Sequence, residues 1–304
     1  MKQKSKAKKK RALKKGLKVN IRHVIALAVF FLFVAMVFVI SAYHSPAPKK
    51  PASGPKTKAN VVKKVAVPKA IPIMQLQKPA PNPNLKVPIL MFHHIRDPKP
   101  IKDPIQHNLS VSPAKFKADL SWLKAHNYQA VTIDDLPAIL NGQIKMAKKP
   151  VAITFDDGYE DNFTEAFPDL IAAGMTGNFN IITGAIGMPG YMSSEQLKTM
   201  EKAGMEFGSH TVRHLDLATL SPDRQTKELA DSKTTLGKLL GREITSLCYP
   251  SGEYNVLTLA IAKQLGYRLA TTTKFGYADA QSKLLELPRV RMTETSNFDA
   301  LLNR

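Results

Sequence analysis

The sequence predicts an α/β fold: a (β/α) barrel of about seven units, preceded by one transmembrane helix and a disordered linker. Three observations carry this. From residue 88 onward, short apolar β-forming runs alternate with amphipathic helical stretches, the pattern of βα units around a parallel sheet. Seven or eight such units occupy 217 residues, which suits a closed or nearly closed barrel better than an open sheet. Ahead of them, charge and hydropathy split the chain into three segments of different character.

Of 304 residues, 44 are Lys or Arg and 24 are Asp or Glu, a net charge of +20. Residues 1–87 hold 20 of the basic residues and no acid, so residues 88–304 carry equal numbers of each sign. The charge therefore does not make the domain a nucleic-acid binder. Eleven Lys and Arg crowd residues 1–23, a basic tail. The uncharged run VIALAVFFLFVAMVFVI, extended through Ala42 and Tyr43, makes 24–43 about as long as a spanning helix. Its basic flank places the tail in the cytoplasm and everything after Tyr43 outside, as a single-pass signal-anchor in the cell membrane. The competing reading is a cleaved signal peptide and a shed domain. Against it, I-S-A-Y-H-S-P-A is a poor cleavage site and the run exceeds an ordinary signal core. Residues 44–87 hold nine prolines, nine lysines and no acid, a self-repelling linker too polar to bury a core. Their charge also offers contact to anionic wall polymers or lipid headgroups. The single cysteine, Cys248, excludes an intrachain disulfide.

Within the domain at 88–304, P-I-L-M-F (88–92) reads as the first strand, ending at His93 and His94. Ser112-Pro113 is an N-cap with proline at the first helical position, and Phe116, Leu120 and Leu123 form one apolar face. Ala130–Ile133 reads as a strand, with Asp134 or Asp135 capping a short helix through Leu140. Val151–Phe155 is the next strand; a helix within 161–173 leads to Gly174 and the strand Gly177–Ile182. S-S-E-Q at 193–196 is a capping box opening a helix to about Ala203. Met205–Gly208 is strand and Pro222–Leu240 a long helix. Strand Thr245–Tyr249, helix 255–265, strand 267–272 and a last strand near 285–291 complete the series.

Barrel chemistry gathers at the C-terminal ends of strands, and Asp156, Asp157, His210 and the stretch 248–252 all fall there. In V-A-I-T-F-D-D-G-Y (151–159), two adjacent carboxylates end a buried strand, an unfavourable pairing unless each charge has a purpose. In S-H-T-V-R-H (209–214), His210 and His214 stand four apart, so a tight loop can aim both imidazoles at one point. Two histidines and a carboxylate form a frequent catalytic zinc set with room for water. Cys248 lacks a His–Asn partner and reads as a small buried thiol; His107 and His126 read as ordinary surface residues.

T-F-D-D-G-Y followed by H-T-V-R-H resembles the first two motifs of the polysaccharide deacetylases, the NodB-homology domains of carbohydrate esterase family 4. The likeness spans about 87–295, with P-I-L-M-F-H-H-I and C-Y-P-S-G-E-Y-N as supporting stretches. It implies a (β/α) barrel and metal-dependent removal of acetyl groups from a glycan. Asp157, His210 and His214 would hold a divalent metal, zinc by preference, and Asp156 would act as general base. The third motif would supply a backbone N–H to the oxyanion near Ser251.

The chain departs from the family pattern at two places. Cys248 stands where many members carry an arginine that orients the catalytic aspartate, so Arg289 or Arg291 in L-P-R-V-R-M is expected to supply that guanidinium, Arg289 foremost. The last motif, Leu-x-His, is absent, and no histidine follows His214. The general acid is then expected at His93, since strand alternation lets one of His93 and His94 point inward. This is similar to the branch that deacetylates poly-β-1,6-N-acetylglucosamine. The expectation is a membrane-anchored extracellular hydrolase acting on N-acetylglucosamine units of such an exopolysaccharide. Peptidoglycan or chitin oligomers are the alternative substrates, and a catalytically idle glycan-binding protein is the rival of another class.

Overall fold

Strand residues alternate between two separate apolar environments, and this alternation builds the barrel. In a computed structural model that describes residues 82–98 and 107–302, Ile89, Ala152, Leu269 and Leu287 share one cluster. Their strand neighbours Leu90, Val151, Ile153, Ala270 and Val290 belong to another, which continues into the surrounding helices. The first cluster is the barrel interior, the second the layer between barrel and helices. Buried on both faces, such strands read as continuous apolar runs rather than alternating ones.

In chain order the elements are β1 (Ile89–Phe92), β2 (His94–Ile95), β3 (Ser110–Val111), α1 (Pro113–Ala125), β4 (Tyr128–Ala130) and α2 (Leu136–Leu140). Then follow β5 (Lys149–Phe155), α3 (Phe167–Ala173), β6 (Asn178–Ile181), α4 (Ser194–Lys202), β7 (Glu206–Ser209) and α5 (Pro222–Leu240). The last are β8 (Ser246–Cys248), α6 (Val256–Gln264), β9 (Leu269–Phe275), β10 (Leu287–Arg291) and α7 (Phe298–Leu302). Seven strands close a parallel ring in the order β1, β10, β9, β8, β7, β6, β5, with β5 returning to β1. β4 pairs with the first residues of β5, Tyr128 opposite Lys149, below the stretch of β5 taken by β1.

The helix signals act as read. The Ser112 hydroxyl accepts the Lys115 amide at 3.2 Å, and Ser193 and Gln196 form the capping box. Gly174 and Gly241 end α3 and α5 in left-handed conformation, which glycine adopts at no steric cost. The helix expected within 161–173 begins as a π-helical turn, Asn162–Ala166.

Three expectations are corrected. The strand placed at 130–133 is Tyr128–Ala130; Val131 and Ile133 turn beneath the barrel with α2 and plug its interior cluster. Buried apolar residues there serve a plug, which local pattern cannot distinguish from a strand. Asp135 stands at the N-cap of α2 without a side-chain cap bond, and Asp134 instead accepts the Thr245 hydroxyl at 2.7 Å. The domain also begins before Pro88: Val87 is fully buried and exchanges hydrogen bonds with Ala278 at 2.7 and 2.9 Å. The basic tail, the expected membrane segment 24–43 and most of the linker lie outside the described residues. No helix among the described residues is long and apolar enough to cross a membrane.

One buried acid lies away from the barrel mouth. Asp119 on α1 pairs with Lys115 through Oδ1, while its buried Oδ2 has no hydrogen-bond partner. Burial pushes its pKa up to about 6, against the Lys115 bond and charge. A carboxyl raised on folding stabilises below its unfolded value near 4, and that contribution is lost as pH rises through 6. Asp119→Asn should therefore raise stability at pH 7.5 by roughly 1–2 kcal/mol, with no gain at pH 4, as read from urea denaturation at the two pH values.

Candidate active site

A parallel barrel delivers every strand's C-terminal end to one mouth. There a cleft of about 730 Å³ is lined by His93 after β1, Asp156 and Asp157 after β5, His210 and His214 after β7, and Ser251 after β8. Thr273 and Arg291 also line it. All seven expected site residues except Arg289 line this cleft, and Arg289 lies directly beneath, 1% exposed.

Asp157, His210 and His214 converge. Oδ1 of Asp157 lies 3.3 Å from Nε2 of His210 and 3.5 Å from Nε2 of His214, and yet this buried oxygen has no hydrogen-bond partner. His210 Nδ1 lies 2.8 Å from the Cys248 carbonyl. A carbonyl only accepts, so Nδ1 carries a proton, and in the neutral ring Nε2 is the nitrogen left with a lone pair for the cleft. Burial disfavours charge on His210, but the Cys248, Asp157 and Asp156 side chains outweigh it and raise the imidazole well above its ordinary value. His214 is lowered by burial and by the charge His210 carries when protonated. Carboxylates that favour a proton on His210 also favour a metal cation in its place. The donor set, two nitrogens and one oxygen with an unpartnered lone pair, fits a divalent metal.

Backbone strain concentrates here. Five non-glycine residues among those described have positive φ, and four are Asp157, Thr211, His214 and Ser251, at 76°, 66°, 56° and 55°. For a β-branched residue such as Thr211 this conformation is costly and is held only by its surroundings. Gly158, next to Asp157, has φ of 82°, where a side chain would also approach Ile181.

Asp156 is treated in the opposite way: both its oxygens are held by hydrogen bonds. Arg289 clamps it bidentately, Nη1 to Oδ1 at 2.8 Å and Nη2 to Oδ2 at 2.7 Å, and Asn180 donates to Oδ1 at 2.8 Å. Burial alone would push this carboxyl up, but the Arg289 charge and hydrogen bonds, with His93 and His210 behind them, hold it far below the usual range. Arg289 completes its fork on the Thr272 carbonyl, the Thr154 hydroxyl and the Cys248 sulfur at 2.8, 3.1 and 3.2 Å. The small thiol at 248 leaves the space through which an arginine from β10 reaches the aspartate. Arg291 shares the strand face but stands exposed at the cleft, its side chain in no hydrogen bond or ion pair with the described residues.

The two histidines after β1 part as alternation requires. His93 faces the cleft, its Nε2 3.8 Å from Asp156 Oδ2. His94 turns away, bonded to Asp161 at 2.6 Å and stacked on Tyr159 at 3.6 Å. Asp161 also accepts the Ile95 amide, and Asn162 donates to the His93 carbonyl at 2.7 Å, so the chain on both sides of His93 is pinned. Burial lowers the His93 pKa to about 4, against the attraction of Asp156 and Asp157. His107 and His126 take no part in the cleft. Sequence reasoning passed over Asn180, Asp161 and Asn162. Asn180 had a signal: in N-F-N-I the asparagines alternate with an outward-facing phenylalanine on a strand buried on both faces.

Comparison with known proteins gives the family. Residues 143–270 match the sequence family Polysaccharide deacetylase. YxkH of Bacillus subtilis (strain 168), itself named for the polysaccharide deacetylases, is 35% identical over 250 residues, covering 82% of this chain and 85% of its own. The chain belongs to the polysaccharide deacetylases. It is thus a hydrolase of carbon–nitrogen bonds. The solved structure of the Streptococcus pyogenes deacetylase PplD, with acetate, superposes on this deacetylase with a TM-score of 0.68 and 37% identity, over 74% of this chain and 98% of PplD. A poly-β-1,6-N-acetyl-D-glucosamine N-deacetylase of Staphylococcus aureus is 28% identical over 214 residues, 65% of this chain and 72% of its own.

Removing one partner of a buried ion pair leaves the other charge uncompensated. Arg289→Gln should therefore cost about 3–5 kcal/mol of stability, whereas Arg291→Gln should cost less than about 0.5 kcal/mol. Urea unfolding of the two variants side by side checks the contrast.

Proposed function

We propose that this deacetylase removes N-acetyl groups from N-acetylglucosamine units of a cell-surface polysaccharide, with a divalent cation, zinc by its ligand set, held by Asp157, His210 and His214. One observation carries the reading. Of two adjacent buried carboxylates, Asp156 has both oxygens hydrogen-bonded, while Asp157 keeps an unpartnered oxygen between two histidine nitrogens. When bound, such an ion supplies Lewis-acid polarisation of the acetyl carbonyl and a more acidic water.

The remaining work falls to this chain's own groups. Arg289 and Asn180 keep Asp156 ionised and fixed, so its Oδ2 is the base that receives the water's proton. The 3.8 Å from that oxygen to His93 Nε2 makes a short path for the proton. His93, neutral near pH 7, accepts it and delivers it to the departing amine. The Ser251 backbone, in left-handed conformation at the cleft wall, is the donor assigned to the oxyanion. Poly-β-1,6-N-acetylglucosamine is the favoured substrate. The Staphylococcus aureus relative supports it, as does a general acid taken from the first strand; peptidoglycan and chitin oligomers are the alternatives. We place the domain outside the cell on the 24–43 anchor, with the basic linker along anionic wall polymers.

The test incubates the purified full-length chain with β-1,6- and β-1,4-linked N-acetylglucosamine oligomers, with and without chelator, and measures acetate. Acetate should appear faster from the β-1,6 series and vanish with chelator. Asp156→Asn should lower turnover by about 10²–10⁴-fold while elemental analysis still finds metal, and His210→Ala should lose the metal. No acetate from either series, with metal bound, would overturn both the exopolysaccharide and the chitin-oligomer readings.

A further inference from the structure

Two of the three ligands assigned above sit on the loop His210 to His214, which belongs to no sheet or helix and contains two left-handed residues. What holds such a loop is found by following its amides. The His210 N–H donates to the Ile181 carbonyl at 2.9 Å. The Thr211 N–H donates to Ser209 Oγ at 3.3 Å, and that of His214 to Thr211 Oγ1 at 3.0 Å. The remaining two, Val212 and Arg213, both donate to Oε2 of Glu228, at 3.0 and 2.9 Å. Oε1 of the same carboxylate accepts Arg213 Nε at 2.7 Å.

Glu228 is on α5 and 1% exposed. One turn further along the helix, Ser232 bonds Ser209 at 2.8 Å, so a single helix face holds both the start and the middle of the loop. From the other side, the Thr183 and Gly184 amides donate to the Thr211 and Val212 carbonyls at 3.1 and 2.9 Å. A Cβ at Gly184 would lie 2.5 Å from the Val212 oxygen, so this wall has no slack. A buried carboxylate whose one cationic partner among the described residues, Arg213, is 56% exposed at its side chain is a costly choice for a helix–loop contact. It is matched here by three donors that an apolar residue would leave unpaired.

We propose that Glu228 is a positioning residue for the metal centre: through the Val212 and Arg213 amides it sets where His214 stands relative to Asp157 and His210, and thereby the metal affinity. It touches neither the ligand atoms nor the cleft. The inference rests on reading Asp157, His210 and His214 as ligands. It goes further in naming a helix residue, fourteen positions beyond the last ligand, as the determinant of their convergence.

The experiment measures zinc affinity of the purified full-length chain by competition with a fluorescent chelator, with circular dichroism and melting followed on the same samples. Glu228→Ala should weaken zinc binding about 10–100-fold. Glu228→Gln, which keeps one oxygen for the two amides, should weaken it less. Arg213→Gln, which leaves both amide bonds in place, should stay within about threefold of the parent, and Lys227→Ala, on the exposed side of α5, should equal it. A purely structural Glu228 would lower the melting temperature of a folded variant and leave its zinc affinity unchanged, and that result overturns the proposal. If Glu228→Ala does not fold, Glu228→Gln decides: weaker binding supports the assignment, parent-like binding overturns it. Arg213→Gln binding as weakly as Glu228→Ala would overturn the amide grip. A parent chain that binds no zinc would instead overturn the ligand assignment itself.

Discussion

Two carboxylates on consecutive residues, both buried, cannot remain ionised unless each finds its own positive partner. Asp156 and Asp157 resolve this in different ways, and most of the barrel mouth follows from the difference. Asp156 points into the barrel with the parity of Ala152 and Thr154 and meets a guanidinium from a strand on the other side of β1. Asp157 is turned out of that register by a left-handed backbone and meets two imidazoles instead. One carboxylate is thus given a permanent counter-charge, and the other is left with a lone pair for a removable one. The strain at Asp157, Thr211 and His214 is what it costs to bring that second group together away from any regular element.

Such strain persists only if the surroundings over-determine it. Around the histidine loop the determinants are backbone amides from the turn after β6, a hydroxyl from Ser209 and a buried carboxylate from α5. Around His93 they are Asp161 and Asn162, from the segment that follows the two aspartates. Two walls of the cleft are therefore tied to the helix or turn behind them, and the third, at Arg289, is tied through the barrel interior. An active centre supported in this way needs little rearrangement to receive an ion or a substrate.

Much of this was legible in the chain because it is local. The D-D-G turn, the four-residue spacing of His210 and His214 and the helix caps are written within a few residues, and parity alone separates His93 from His94. Arg289 and Arg291 have the same parity, so sequence could offer both. Which one reaches Asp156 depends on the stagger of the closed sheet, a property of all seven strands together. Glu228 was not legible at all, since a glutamate in a long polar helix reads as a solvent-facing residue. The apolar 131–133 stretch misled for a related reason: burial at the base of the barrel and burial in a strand demand the same residues.

The central claim is that three side chains from two distant stretches share one cation. Anomalous diffraction at the zinc edge, from crystals of the protein grown with zinc, tests it most directly. The account predicts a single strong peak at about 2.0–2.2 Å from one oxygen of Asp157 and from Nε2 of both His210 and His214, with the Asp156–Arg289 pair unchanged beside it. A peak coordinated by Asp156 and Cys248 instead, or none within reach of the two histidines, would contradict it.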